Sequence, residues 1–491
     1  MTPSLGGILV MVALLALGHR LGSPIIVGLL AALPFGSTAI GTVGALGGSS
    51  PLVYVAFVLM LLAAVAMQQR CLDRLCTVFA RHWTAWVVAV LIAYAVAGAV
   101  LFPRLFQGQT LALVPTPEGV KELPLGPASS NITQTGYFVL GALTFYAFAI
   151  LVDSKAQLDA VRRGFLAFAA VHASLGIIDL AGKMSGLGDI LWPIRTASYT
   201  YLVEVEEAGF WRIAGGFSEA SSFGSVTLGC LAFSFAYWRV TRSRPVLALT
   251  IVLLCLLLLS TSSTAYAGFA IITAFVGAAM ALAALRGRLK SPDLLVLAAV
   301  WLMLILVLSL YLANEHLFDP IVHLFETMVL NKASSESAQV RQYWNAQSLQ
   351  AFLETYWLGV GLGSSRAASW LVAVISQLGL IGAVLIAGLV GVLIADAASP
   401  QPSHLDRETL ALVSGVRAGA LASLAGASVS SGFADPGLLF FIALAIVCVY
   451  RRPRGLQQGA GALHRDRPVQ MRHQPIGYPR FAYGASRHRT P

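Results

Sequence analysis

The chain has 491 residues, of which 57% are hydrophobic and only 11% charged, with a formal net charge of +10. A soluble domain carries about 25% charged residues, so a water-soluble surface of this size is excluded, as are a secreted disulfide scaffold and a disordered chain. The long apolar runs that recur along the sequence imply a polytopic membrane protein.

Taken in chain order, apolar segments fall at 5–18, 24–47, 51–68, 84–102, 137–152, 164–182, 220–238, 246–261, 265–285, 294–313, 369–395, 411–430 and 436–450. About 20 helical residues cross about 30 Å of hydrocarbon, and backbone groups in lipid must bond within their own segment. The predicted fold is therefore all-α, with about 11–13 transmembrane helices in a membrane domain spanning residues 1–450. Residues 5–18 resemble a signal-peptide core, but no basic residue precedes them and His19-Arg20 follow, so they read as a retained span.

Short loops at 69–83, 154–163, 239–245, 286–293 and 396–410 carry 13 of the 32 Lys and Arg, and they alternate with long loops at 103–136, 183–219 and 314–368. By the positive-inside rule the short loops face the cytoplasm and the long ones the outside. Residues 451–491 hold nine Arg and one Asp. They lack any apolar period and read as a disordered basic cytoplasmic tail, attracted to anionic lipids. With this topology the cytoplasmic side has 24 basic and 8 acidic residues and the outer side 8 and 14. The partition withdraws the nucleic-acid partner that the net charge alone suggests. The five cysteines form neither a disulfide framework nor a zinc pattern.

Polar residues gather at the outer face in three places. The first is Phe210-Trp211-Arg212-Ile-Ala-Gly215-Gly216-Phe217-Ser218-Glu219-Ala220-Ser221-Ser222, which ends a long loop and opens a span. It reads either as a capped helix start or as an anion site, where Arg212 binds a phosphate, Ser218 lines it and Glu219 handles a proton. The second, Leu259-Ser260-Thr261-Ser262-Ser263-Thr264, reads as a tight polar turn, with Ser262 a candidate for substrate contact. The third is the large loop 314–368. Residues 338–357 follow a Ser335/Ser337 cap and place Val340, Trp344 and Leu353 on one face of an amphipathic helix, with Arg341 and Asn345 one turn apart. The run Leu358-Gly-Val-Gly361-Leu-Gly363-Ser-Ser-Arg366 then approaches the next span. Its glycines permit close backbone approach to a ligand, and its arginine forks match phosphate geometry. His316 and His323 read as exposed interfacial residues, and no metal motif or nucleotide loop is present.

The pattern Arg212-x-x-Gly-Gly-Phe217-Ser-Glu219-Ala-Ser-Ser-Phe223 is similar to a motif region of bacterial O-antigen and exopolysaccharide polymerases. Leu259-Ser-Thr-Ser-Ser-Thr, the helical Arg341 followed by Leu358-Gly-Val-Gly-Leu-Gly363, and Gln377-Leu-Gly379-Leu-Ile-Gly382 resemble the same superfamily in order and spacing. The resemblance implies an inverting, metal-independent membrane glycosyltransferase without a cofactor, acting at the periplasmic face of the bacterial inner membrane on polyprenyl-pyrophosphate-linked oligosaccharide. By position, Arg212 and Arg341 would bind the donor pyrophosphate and Arg366 would assist; Glu219 is the best candidate for the base. Expected partners are the lipid-linked substrate, membrane lipids, and the flippase and chain-length regulator of such a pathway. The motif proline after Glu is Ala220 here, and Ala368-Ser369 stand where the related O-antigen ligases carry His-Asn. The leading expectation is a polysaccharide polymerase. The alternatives are an O-antigen or protein O-oligosaccharide ligase and, from another class, a transporter or flippase of lipid-linked sugars.

Overall fold

A computed structural model describes residues 2–44, 49–116, 119–198, 203, 206–207, 210–287, 336–397 and 405–450, with isolated helical positions between 294 and 309. The large loop's first part, with His316 and His323, and the basic tail after Tyr450 lie outside the described residues.

The described chain is mainly helical. Its helices are α1 (Leu5–Arg20), α2 (Pro24–Ala32), α3 (Val53–Ala66), α4 (Cys71–Arg81), α5 (Trp83–Leu105), α6 (Ser129–Leu151) and α7 (Lys155–Met184). They continue with α8 (Ala220–Thr241), α9 (Arg244–Leu259), α10 (Ser263–Leu285), α11 (Glu336–Glu354), α12 (Trp370–Ala397), α13 (Arg407–Ser430) and α14 (Leu438–Tyr450). Seven of them, α5, α6, α7, α8, α10, α12 and α13, are long and apolar enough to cross a membrane. The helices α1, α9 and α14 are apolar but shorter. Within the described residues the chain is thus an all-α, polytopic arrangement. Among the described residues the strands are three short antiparallel pairs, of which the longest joins Leu111–Thr116 to Gly119–Pro124.

Two expectations from the sequence are corrected. The run 24–47 is not one span, because α2 stops at Ala32. Its high average hydropathy hides Pro34, Gly36, Gly41 and Gly44, which break a helix. The backbone there bonds elsewhere: Ser37 N donates to Gly216 O at 3.0 Å and Ile40 N to Pro51 O at 2.9 Å. The loop at 69–83 is largely helix α4, bent by 100° from α3. Its strong amphipathic pattern turns Val78 inward and leaves Leu72 exposed, as befits a helix lying across the end of the bundle.

Packing relies on small residues and aromatics. The α8–α13 pair closes through Gly229 and Gly419, where a Cβ on Gly229 would stand 2.3 Å from Ser423 Oγ, the small-residue contact typical of helices in lipid. Phe138 of α6 meets Phe441 of α14 edge-to-face at 5.9 Å between centroids. One end of the bundle collects Arg162, ion-paired with Glu408 at 3.0 Å, and Arg407, whose Nε donates to Val240 O. The opposite end collects the loops that carry the polar motifs.

A candidate active site at the loop-rich end of the bundle

The segment Arg212–Glu219 is fixed from beneath by a charge cluster on α7. Asp179 is fully buried, and its Oδ2 accepts the backbone N–H groups of Ala214 at 2.8 Å and Gly215 at 3.1 Å. The same carboxylate pairs with Lys183 at 2.9 Å and Arg195 at 3.3 Å. These two cations then return to the loop: Lys183 Nζ donates to Arg212 O at 2.7 Å and Arg195 Nη2 to Gly215 O at 2.6 Å. Arg195 also pairs with Asp189. A buried carboxylate is tolerable only when its lone pairs are matched in this way. The result is a rigid loop that presents Arg212 and delivers the chain to α8. Deeper in α7, buried His172 places Nε2 2.7 Å from Thr227 Oγ1 and stacks on Phe223 at 4.6 Å, so α7 and the first turns of α8 are registered together.

Glu219 is the N-cap residue of α8 in an extended conformation. Its Oε1 accepts the hydroxyls of Ser221 and, at 3.3 Å, Ser222. The serines therefore serve the carboxylate, and no side-chain cap bond closes the helix start. The turn Ser260–Ser262 packs alongside. Ser262 is buried and caps α10 by accepting Ala265 N at 3.4 Å, and a Cβ on Gly224 of α8 would meet Ala265 Cβ at 2.6 Å.

Arg366 enters from a distant part of the chain. Its backbone is pinned on both sides: its N–H donates to Leu113 O at 2.8 Å and its carbonyl accepts Ser348 Oγ at 3.2 Å. The guanidinium carbon lies 5.4 Å from the Trp344 ring and 5.9 Å from the Phe433 ring, so two aromatic faces hold the cation. Burial lowers the Arg366 pKa, the Glu219 charge opposes that shift, and the Arg341 charge adds to it. Arg341 and Arg366 thus share one electrostatic neighbourhood with Glu219, which lies more than a hundred positions earlier in sequence. Asn345, one turn after Arg341, fixes the adjoining backbone by accepting Ala368 N at 2.9 Å.

The structure redistributes some of the expected roles. Val340 and Leu353 are exposed while Trp344 is half-buried. Thirteen positions at about 100° each put Val340 and Leu353 on different faces, so the expected common apolar stripe on α11 is corrected. The side of α11 turned to the protein carries Arg341, Trp344, Asn345, Ser348 and Ala351. Gly361 and Gly363, expected to let the backbone approach a ligand, stand at tight packing positions. Their φ values are +89° and +81°, and a Cβ would lie 2.7 Å from Gly98 O and 2.4 Å from Ser130 O respectively. Both glycines are buried against backbone. Gln377 clasps this loop, accepting Gly363 N at 3.2 Å and donating to Gly432 O at 3.3 Å. Arg212 is half-exposed on the clamped loop, and Ser218 is half-exposed beside Glu219.

Sequence reading missed the Asp179–Lys183–Arg195 cluster, for which Asp179-x-x-x-Lys183 one turn apart was the available signal. It also missed the partners of Arg366, for which no local signal exists. Among the described residues no group of three or more His, Cys, Asp or Glu is placed to hold a metal ion.

Fold and site together define an all-α polytopic membrane protein in which Arg341, Arg366 and Glu219 share the loop-rich end. No family model, no curated protein and no solved structure matches the chain.

Proposed function

We propose that the protein is a membrane glycosyltransferase, and within that class a polysaccharide polymerase that joins polyprenyl-pyrophosphate-linked oligosaccharide repeats. The reading puts it in a bacterial inner membrane, with the loop-rich end toward the periplasm and the C-terminus in the cytoplasm. The observation that carries the proposal is that Arg366, half-buried and held against Trp344 and Phe433, lies within the electrostatic reach of both Arg341 and Glu219.

A diphosphate leaving group gains negative charge as its bond to the anomeric carbon breaks. Cations held rigidly where that charge develops lower the barrier because they need no reorganisation. Arg366, stacked between two rings, and Arg341, on a helix anchored through Asn345, meet that requirement; Arg212 on its clamped loop supplies a third fork. Glu219 keeps the cluster from carrying only positive charge, and its hydrogen bonds to two hydroxyls fix its orientation. With Oε1 so engaged, it is better suited to hold the arginines than to receive a proton. Partners of such an enzyme would be the flippase that delivers the lipid-linked repeat and a regulator of chain length.

The test is complementation of a deletion strain with Arg341→Ala, Arg366→Ala and Arg212→Ala. Each should abolish long polymer while single lipid-linked repeats accumulate, with the variant protein still present in the membrane. Normal polymer length in all three would end the diphosphate-clamp reading. Polymer that builds up on the lipid carrier without reaching its final acceptor would instead identify a ligase.

A further inference from the structure

Resting on the polymerase reading, we propose that Asp435 is the general base, taking the proton from the sugar hydroxyl of the acceptor as it attacks. Asp435 lies on the loop between α13 and α14, at a cleft between α3, α6 and the start of α14. Tyr54, Val58, Tyr137, Leu140 and Leu438 line that cleft with it. The room beside the carboxylate suits one hydroxyl-sized group rather than a whole sugar ring. The lining is polar at Tyr54, Tyr137 and Asp435 and apolar elsewhere. It thus admits a single hydroxyl of a larger acceptor beside the carboxylate.

The cleft is tied to the arginine cluster by a few residues of one loop. Gly432 touches the Arg366 side chain, a Cβ there standing 2.6 Å from Arg366 Cγ. Phe433 covers the guanidinium at 5.9 Å, and Ala434 O accepts Trp370 Nε1 at 3.2 Å, which fixes the loop. Asp435 follows, with its Oδ1 accepting Gly437 N at 2.8 Å. Two residues of chain reach at most about 7 Å. An inverting displacement needs nucleophile and leaving group on opposite faces of the anomeric carbon, so base and diphosphate clamp must flank that carbon. Arg366 lies against the start of this stretch, at Gly432 and Phe433, and Asp435 ends it.

The environment suits a base. Burial pushes the Asp435 carboxyl up to about 6, the Gly437 N–H opposing it, which brings it near the operating range of a general base. The titratable groups facing it are Tyr54 from α3 and Tyr137 from α6, while α14 contributes the neutral Leu438. Arg366 reaches the same loop through Phe433, and no Lys or Arg lines the cleft. Glu219, by contrast, is engaged by Ser221 and Ser222.

In the step itself, the acceptor O–H gives its proton to an Asp435 oxygen while the hydroxyl oxygen bonds to the anomeric carbon. The bond from that carbon to the diphosphate oxygen breaks, and its electron pair leaves with the polyprenyl diphosphate against Arg366 and Arg341. Water removes the proton from Asp435 after the product moves on.

The test uses the purified full chain in liposomes, with lipid-linked single repeats extracted from a deletion strain. Wild-type kcat/KM should fall about tenfold per pH unit below the Asp435 pKa of about 6. Asp435→Asn keeps the acceptor for Gly437 N–H and should lower kcat at least about 100-fold without raising KM. Asp435→Glu should restore part of the rate, and Glu219→Gln should keep the acidic limb of the pH profile. Full turnover in Asp435→Asn, or an unchanged acidic limb in it, overturns the assignment while leaving the polymerase reading intact. If Asp435→Asn does not fold, Asp435→Glu decides: an acidic limb that does not move with the new side chain overturns the base. Failure of the wild type to make polymer sinks both.

Discussion

At the residue scale, the site depends on charges that are costly unless matched. Asp179 receives two backbone N–H groups and two cations inside the protein. Removing it would leave Lys183 and Arg195 buried without their shared anion. Asp179→Ala should therefore destabilise the protein by about 3–5 kcal/mol, read as a lowered unfolding midpoint in detergent. Asp179→Asn should cost less, since its side-chain carbonyl oxygen still accepts from the loop. Polymer formation should fall in both as Arg212 loses its fixed position. Arg366 offers a sharper test. Arg366→Lys preserves the charge but loses the planar group that rests between Trp344 and Phe433. It should behave nearly as poorly as Arg366→Ala, with polymer yield reduced about 100-fold; recovery to wild-type yield would show that charge alone suffices.

At the scale of elements, the helix breaks matter as much as the helices. The positive φ of Gly361 and its contact with Gly98 O leave no space for a side chain. Gly361→Ala should cost about 2 kcal/mol or more and shift the following Arg366, so stability and activity should fall together. Gly379 interrupts α12 at φ 65°, and Leu380 N there donates to Trp357 O at 2.9 Å. This break lets the glycine-rich loop dock into α12. Much of this was legible in sequence: the motif Leu358-Gly-Val-Gly-Leu-Gly363 announces a special backbone. A glycine looks the same in sequence whether a substrate or a neighbouring carbonyl approaches it, and here the carbonyls of Gly98 and Ser130 lie against Gly361 and Gly363. Likewise α11 was legible as a helix, but which of its faces turned inward depended on Arg366 and the Leu111–Pro124 hairpin, both distant in sequence. Val340 and Tyr343 on one side of α11, and Leu349 and Leu353 on another, are exposed.

At the scale of the molecule, the two ends of the bundle differ in kind. One carries Arg70, Arg74 and Arg81 around α4 and the Arg162–Glu408 pair; the other carries the loops, the clamped segment and the arginine cluster. If the loop-rich end faces outward, a membrane-impermeant maleimide should label Leu187→Cys in intact cells, since Leu187 is exposed. Cys76, exposed on α4, should label only after the membrane is opened. The reverse pattern would invert the proposed orientation and remove the periplasmic site. The Lys and Arg distribution was readable directly, since it follows a rule about short loops. The bent α3–α4 pair and the broken run 24–47 were not, because average hydropathy is blind to where a backbone turns.

What the sequence determined alone is the solvent of this protein and the nature of its elements. Too few charges cover the chain for water, and apolar runs in lipid must close their own hydrogen bonds, so they become helices. It also marked the special segments, through Gly, Ser and Arg at the ends of those runs. The tertiary structure alone decided which of those residues act together. Arg341, Arg366 and Glu219 meet only because α8, α11 and the loop before α12 end at one place, and Asp435 joins them only through four residues of the α13–α14 loop. Side-chain neighbours separated by more than a hundred positions leave no local pattern, since their proximity is a property of packing.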